Sequence, residues 1–266
     1  MIKFKKIYLF SLLAIPILVG LGIFLFQEKL IFKPTKLSHE FLYQFSQPFE
    51  EMRFSIGQNE YLHGILFSSE NSKGVVLYFH GNQGKLNEIG KGANVYTAQN
   101  FDILYLNYRG YGKSDGEIKS ENQLFADAQI VYDDLKTKYA ESKIILVGIS
   151  VGTGIATYLA SKNNPKSLKL IAPYSSFENL LNEKMKWVPS LVWKYELNTI
   201  EFLTEVKCPV TIFHGQDDRM IPIHHAELLK DNFPKIKLVS FKGYGHTNFL
   251  KEEIFKIALS NSLDEL

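Results

Sequence analysis

Ser150 stands between glycines in "VGISVGTG", Val147–Gly154, after the apolar run Ile144–Val147 and before a helix-forming stretch. A serine hydroxyl attacks a carbonyl only when a base takes its proton and a third group orients that base. Two later segments carry such groups. "VTIFHGQDDRMIP", Val210–Pro222, places Asp217 and Asp218 just after an apolar run, and "KLVSFKGYGHTNF", Lys237–Phe249, places His246 in a glycine-flanked loop after another. Acyl transfer also needs donors for the oxyanion. "LYFHGNQG", Leu77–Gly84, makes a turn in which the Asn82 backbone N–H is one candidate, and the Val151 N–H directly after the serine is the second. His80, before a glycine in that turn, reads as a brace for the loop rather than as a base. His224 and His225 are adjacent at a helix start and read as diverging surface residues, not as metal ligands.

These side chains converge only if the elements between them bring them to one edge. Strands are expected at Tyr61–Phe67, Val75–Phe79, Ile103–Asn107, Ile144–Val147, Leu168–Ile171, Val210–Phe213 and Ile236–Ser240. Helices are expected at about Leu86–Gln99, Glu121–Lys138, Gly152–Asn163, His224–Asn232 and Asn248–Leu259. Strand alternating with helix predicts a mostly parallel sheet covered on both faces. In such sheets ligands bind beyond the carboxyl ends of the strands. Ser150, the Asp217–Asp218 pair and His246 all follow strands in that sense. Gly148 and Gly152 suit a tight strand-to-helix turn of the G-x-S-x-G type. Tyr174–Glu205, with Trp187, Trp193 and Tyr195, is too long for a simple connection and reads as a small helical insert (174–205) over one end of the sheet.

The totals narrow the partners. The chain has 266 residues and a formal net charge of +2, with no basic or acidic bias that points to nucleic acid. A single cysteine, Cys208, excludes an internal disulfide and a cysteine-based zinc cluster. Ile7–Phe26 contains no charge, and twenty such residues span about 30 Å as a helix. Residues 1–27 are therefore expected to form an uncleaved membrane anchor, because the run exceeds a secretory signal core and no A-x-A site follows. Residues 28–51 read as an interfacial linker, and residues 52–266 as the main domain. Lys3, Lys5 and Lys6 precede the span and Lys29, Lys33 and Lys36 follow it. With so short a leading tail, the amino terminus is expected inside and the domain outside the cytoplasm.

Taken together, "FHGNQG", "NYRGYGKSDG" (Asn107–Gly116), "GISVG", "HGQDDRMIP" and "GYGH" resemble the α/β-hydrolase superfamily. More narrowly, the chain is similar to the membrane-anchored serine hydrolases related to the bud-emergence protein and the abhydrolase-domain family. An amino-terminal anchor and a "LIF-x-P" segment, here Leu30–Pro34, recur in that group. The resemblance implies Ser150 as nucleophile, His246 as base and Asp218 as the orienting acid, with Asp217 in reserve. It assigns no chemistry to the Asn107–Gly116 loop. It implies hydrolysis of a small or lipid-like carboxylic ester or acyl thioester through an acyl-enzyme, without metal or organic cofactor. A peptidase of the prolyl-oligopeptidase type and a catalytically silent membrane-bound binding protein are the alternatives.

Overall fold

The computed structural model describes residues 2–264, with side chains described at residue 15 and from residue 17 onward. An amino-terminal helix, α1 (Ile2–Ile31), leads through an irregular segment to strands β1 (Glu50–Gly57), β2 (Glu60–Phe67) and β3 (Val75–Phe79). Two single-turn helices, α2 (Leu86–Ile89) and α3 (Asn94–Thr97), flank a 3-10 turn where one helix was expected. Gly90 and Gly92 interrupt the run, and a Cβ at Gly90 would press on the Phe45 ring. Then follow β4 (Asp102–Leu106), α4 (Glu121–Lys136), β5 (Ile144–Ile149), α5 (Gly152–Lys162) and β6 (Ser167–Ile171). The insert holds α6 (Phe177–Lys184), a 3-10 turn at Ser190–Val192 and α7 (Thr199–Phe202). β7 (Val210–Gly215), α8 (His224–Asn232), β8 (Lys237–Phe241) and α9 (Glu253–Leu263) complete the chain.

The eight strands form one sheet in the order β1-β2-β4-β3-β5-β6-β7-β8. β1 and β2 run antiparallel to their neighbours, and the pairs from β4 through β8 are parallel. The central strands β3, β4, β5, β6 and β7 are buried along their whole length, as strands covered by helices on both faces must be. Two apolar clusters follow from that sandwich, one around Leu77, Leu146 and Ile155 and the other around Val76, Val147 and Phe255. β1 escapes sequence reading because its "EEMRFSIG" is mostly polar and exposed, an edge strand with Phe54 alone fully inside.

Residues 28–51, expected as a linker, pack on the domain. Phe32 and Tyr43 are buried, Lys36 bridges to Gly112, and Phe45 meets Phe67 edge to face at 5.0 Å. The carboxyl end of α1 docks on the insert. The buried Gln27 side chain donates to Val192 O at 3.0 Å and accepts from Lys194 N–H at 2.8 Å. Glu28 pairs with Lys194 at 3.1 Å. Among the described residues no helix is long and apolar enough to cross a membrane. Residues 7–14 of the expected span Ile7–Phe26 lie outside the described side chains.

The loop after β4 is held by an ion pair that is nearly out of water. Arg109 grips Asp127 of α4 with two bonds of 2.8 Å and reaches Glu60 at 3.0 Å. Burial pushes the Asp127 carboxyl up, against the pull of the Arg109 guanidinium. A pair in that balance contributes little net stability, yet removing one partner strands the other. Arg109→Met is therefore expected to destabilise the fold by about 3–5 kcal/mol in denaturant unfolding. Arg109→Met combined with Asp127→Leu should recover most of the loss. Equal destabilisation by the single and double variants would mean that the pair is not the cause.

Candidate active site

The polypeptide turns sharply at the end of β5. Ser150 sits at φ 53°, a left-handed conformation that costs a non-glycine residue about 1–2 kcal/mol. Hydrogen bonds hold it there. Its N–H donates to Ile171 O at 2.9 Å, and its carbonyl accepts from Thr153 N–H at 3.0 Å and the Thr153 hydroxyl at 2.6 Å. The flanking glycines are required by space. A Cβ on Gly148 would sit 2.8 Å from Thr153 Cα, and one on Gly152 would collide with the Phe79 carbonyl and lie 2.8 Å from that of His80. The start of α5 thus presses directly on the end of β3.

His246 reaches the same edge from beyond β8. Gly215 permits it, because a Cβ there would strike the Tyr244 and Gly245 carbonyls. The Asp217 N–H donates to Tyr244 O at 2.9 Å, and Gly245 N–H donates to Asn248 Oδ1 at 2.8 Å. His246 Nε2 lies 3.0 Å from Ser150 Oγ, and its Nδ1 lies 2.7 Å from Asp218 Oδ2. The second Asp218 oxygen accepts from Met220 N–H at 2.8 Å and Ile221 N–H at 2.9 Å. Asp217 is exposed and offers the site only its backbone. Of the two adjacent acids, the structure brings Asp218 to the imidazole.

Burial alone would raise the Asp218 carboxyl. The His214 and His246 rings and the Ile221 N–H outweigh it and hold the group well below the usual carboxylate range. His214, fully buried, lies 3.4 Å from Asp218 Oδ2 and 2.8 Å from Ile221 O. It thereby fixes both the acid and the turn that bonds the acid. Such an arrangement keeps Asp218 anionic and aimed at one ring nitrogen, with the other nitrogen facing the Ser150 hydroxyl.

The turn after β3 faces the serine. A Cβ on Gly81 would be 3.5 Å from Ser150 Cβ. Among the described residues, the N–H groups of Asn82 and Val151 donate to no other backbone carbonyl. His80 is fully buried and donates from Nδ1 to Gly81 O at 2.6 Å. Burial pushes it down to about 4, so it stays neutral and braces the turn.

Further braces carried no recognisable signal in the sequence. Tyr111 donates to Asn82 O at 2.6 Å, and Lys33 N–H donates to the same oxygen at 3.0 Å. Tyr108 donates to His80 O at 2.7 Å. The Asn107–Gly116 loop and the Leu30–Pro34 segment, noted as motifs without a role, therefore hold the turn that carries Asn82. A second departure concerns His224 and His225. They do not diverge: the rings stack with centroids 4.5 Å apart, His225 is buried, and both approach Glu183 of the insert. Wedged between α6 and α8, the pair is turned toward the same carboxylate.

Sheet order and turn geometry together define an α/β-hydrolase fold. Solved structures agree: an esterase of Pyrococcus furiosus superposes with a TM-score of 0.68 over 88% of this chain and 97% of its own, at 15% identity. An esterase from Exiguobacterium antarcticum gives 0.66 over 81% and 100%, at 18% identity. The family described as serine aminopeptidase, S33, matches residues 70–200, a stretch that includes Ser150 and ends before Asp218 and His246. A lysophosphatidylserine lipase of Danio rerio is 27% identical over 236 residues, 74% of this chain and 59% of the relative. A putative α/β hydrolase of Acanthamoeba polyphaga mimivirus is 30% identical over 176 residues, 60% of this chain and 65% of the relative. The chain covers less than two thirds of the length of both. The chain thus has the α/β-hydrolase fold and is similar in sequence to hydrolases of that fold.

Two outcomes follow from this geometry. Asp218 is depressed in the folded state, so its contribution to stability is complete above the unfolded value of about 3.9 and is lost as pH falls through the folded value. Asp218→Asn should therefore flatten the acid limb of a stability–pH profile, whereas Asp217→Asn should leave its shape unchanged. Tyr111→Phe removes one of two bonds on the Asn82 carbonyl. It should lower kcat by about tenfold, the cost of misplacing a single oxyanion donor in part, with KM little changed. A rise in KM at constant kcat would assign Tyr111 to ground-state binding instead.

Proposed function

We propose that the protein is a membrane-associated serine hydrolase that cleaves carboxylic esters or acyl thioesters through an acyl-enzyme. The observation that carries this reading is the continuous contact Ser150 Oγ–His246–Asp218, at 3.0 and 2.7 Å, on a strained turn beside two free backbone donors. His246 Nε2 takes the Ser150 proton as Oγ bonds to the carbonyl carbon. Asp218 stabilises the imidazolium, and the Asn82 and Val151 N–H groups receive the oxyanion. Collapse breaks the bond to the alcohol or thiol, which leaves with the proton from His246. Water, deprotonated by the same ring, then releases the acid and restores Ser150. No step in this sequence calls for a metal or an organic cofactor.

A lipid-like acyl substrate is supported by the apolar surroundings. α1 exposes Ile17, Leu18, Leu21 and Leu25, and the insert exposes Trp187 and Leu191 beside it. Val192 lies against Gly20, and Ile23 joins Val188 and Trp193, so these surfaces are continuous. Ile7–Phe26 serves in this reading as a membrane anchor with the domain outside the cytoplasm. A relative that is a lysophosphatidylserine lipase supports the same substrate class. The S33 description makes a peptide amide the second substrate to test.

A fluorophosphonate probe should label the full chain and fail to label Ser150→Ala; equal labelling of both would refute the nucleophile. Asp218→Asn should reduce kcat for p-nitrophenyl esters by about 10⁴-fold. Turnover should rise with acyl-chain length and exceed that of peptide p-nitroanilides. The opposite ranking would make the protein a peptidase.

A further inference from the structure

Glu183, His224 and His225 offer one ligand atom each within 4.8 Å of one another, at the junction of α6 in the insert and α8 in the main domain. His224 Nε2 is 3.1 Å from Glu183 Oε1, and His225 Nε2 is 3.4 Å from Glu183 Oε2. Four ligands at 2.0–2.1 Å around a tetrahedral ion stand about 3.3 Å apart, and each histidine nitrogen already lies at about that distance from one of the two Glu183 oxygens. A second observation comes from His225 itself. The residue is 1% exposed, yet its Nε2 has no hydrogen-bond partner among the described residues and faces the cluster. The other nitrogen is occupied, 2.9 Å from the Ser175 hydroxyl and 3.3 Å from the Ser175 N–H.

We infer that Glu183, His224 and His225 form a binding site for a divalent transition metal of the zinc class, which fastens the insert to the main domain. Two imidazoles and one carboxylate are the donor set that suits Zn²⁺ and disfavours Mg²⁺ or Ca²⁺. In the structure Nδ1 accepts from the Ser175 N–H; ligation by Nε2 moves the ring proton to Nδ1, which gives up that bond and donates to the Ser175 hydroxyl instead, an orienting contact of the kind metal-bound histidines use. Glu183 and His224 are both partly exposed, so each can turn by the small amount that closes the third edge while water fills the fourth position. The site is separate from Ser150 and His246. It nevertheless bears on them, because the next insert residue, Lys184, donates to Arg219 O at 2.7 Å, one residue past Asp218. A metal here immobilises α6 over the loop that carries the acid.

The test uses the detergent-solubilised full chain, stripped with chelator and titrated with Zn²⁺ against a chromogenic zinc indicator. One equivalent should bind, unaffected by millimolar Mg²⁺ and retained in Ser150→Ala and His246→Ala. Glu183→Gln and His224→Ala, both at partly exposed positions, should each weaken binding at least tenfold while fluorophosphonate labelling persists. Fluorescence of Trp187 and Trp193 should change on zinc addition in the parent chain and not in these variants. No bound equivalent, or equal affinity in parent and variants, overturns the site. Loss of the equivalent in His246→Ala alone would do the same by assigning the zinc to the serine's own histidine. Failure of the hydrolase reading would instead appear as absent labelling with zinc binding intact.

Discussion

The site depends on a backbone approach that only glycine permits. The first turn of α5 lies against the Phe79 and His80 carbonyls because Gly152 has no side chain to separate them. Gly215 does the same for the Tyr244–Gly245 segment at the end of β7. With both contacts made, chain ends from β3, β5, β7 and β8 crowd into one rim, where Ser150, His246 and Asp218 lie within hydrogen-bond reach of one another. The left-handed Ser150 is the local cost, offset by the bonds from Ser150 N–H to Ile171 and from Thr153 to the Ser150 carbonyl.

Asp218 accepts from two backbone N–H groups and stands between two imidazoles, which keeps a buried carboxylate charged. His80 is kept neutral by burial, and its tilted ring contacts with Tyr108 and Tyr111, at 4.1 and 4.9 Å between centroids, hold the turn that carries Asn82. Two separated stretches, Leu30–Pro34 and Asn107–Gly116, thus act on one carbonyl oxygen of a third, Leu77–Gly84. Support of the Asn82 turn is distributed over the fold, whereas the Ser150–His246–Asp218 contact is confined to three side chains.

The three side chains that meet at the rim could be singled out in the sequence, and their supports could not. Apolar runs such as Val75–Phe79 and Ile144–Val147 announce buried strands because every residue is apolar, and their ends point to Ser150, Asp217–Asp218 and His246. β1 was missed because an edge strand needs only half its residues apolar. Between Asp217 and Asp218 the residue types give no preference; the resemblance favoured Asp218, and the geometry agrees through the Met220 and Ile221 N–H bonds. Tyr111 and Lys33 contact Asn82 across about 29 and 49 residues of chain, a separation at which no local pattern operates. His224 and His225 were misread for the same reason, since what turns them together is Glu183, on an insert whose path the sequence leaves open.

Gln27 reads the insert's main chain in both directions, donating to one carbonyl and accepting from an amide two residues on. A side-chain amide used in that way behaves as an extra strand partner, and it welds the carboxyl end of α1 to the insert. The amino-terminal helix is then a lever and not a slack tether, and any tilt it adopts is carried into the insert through Val192 and Lys194.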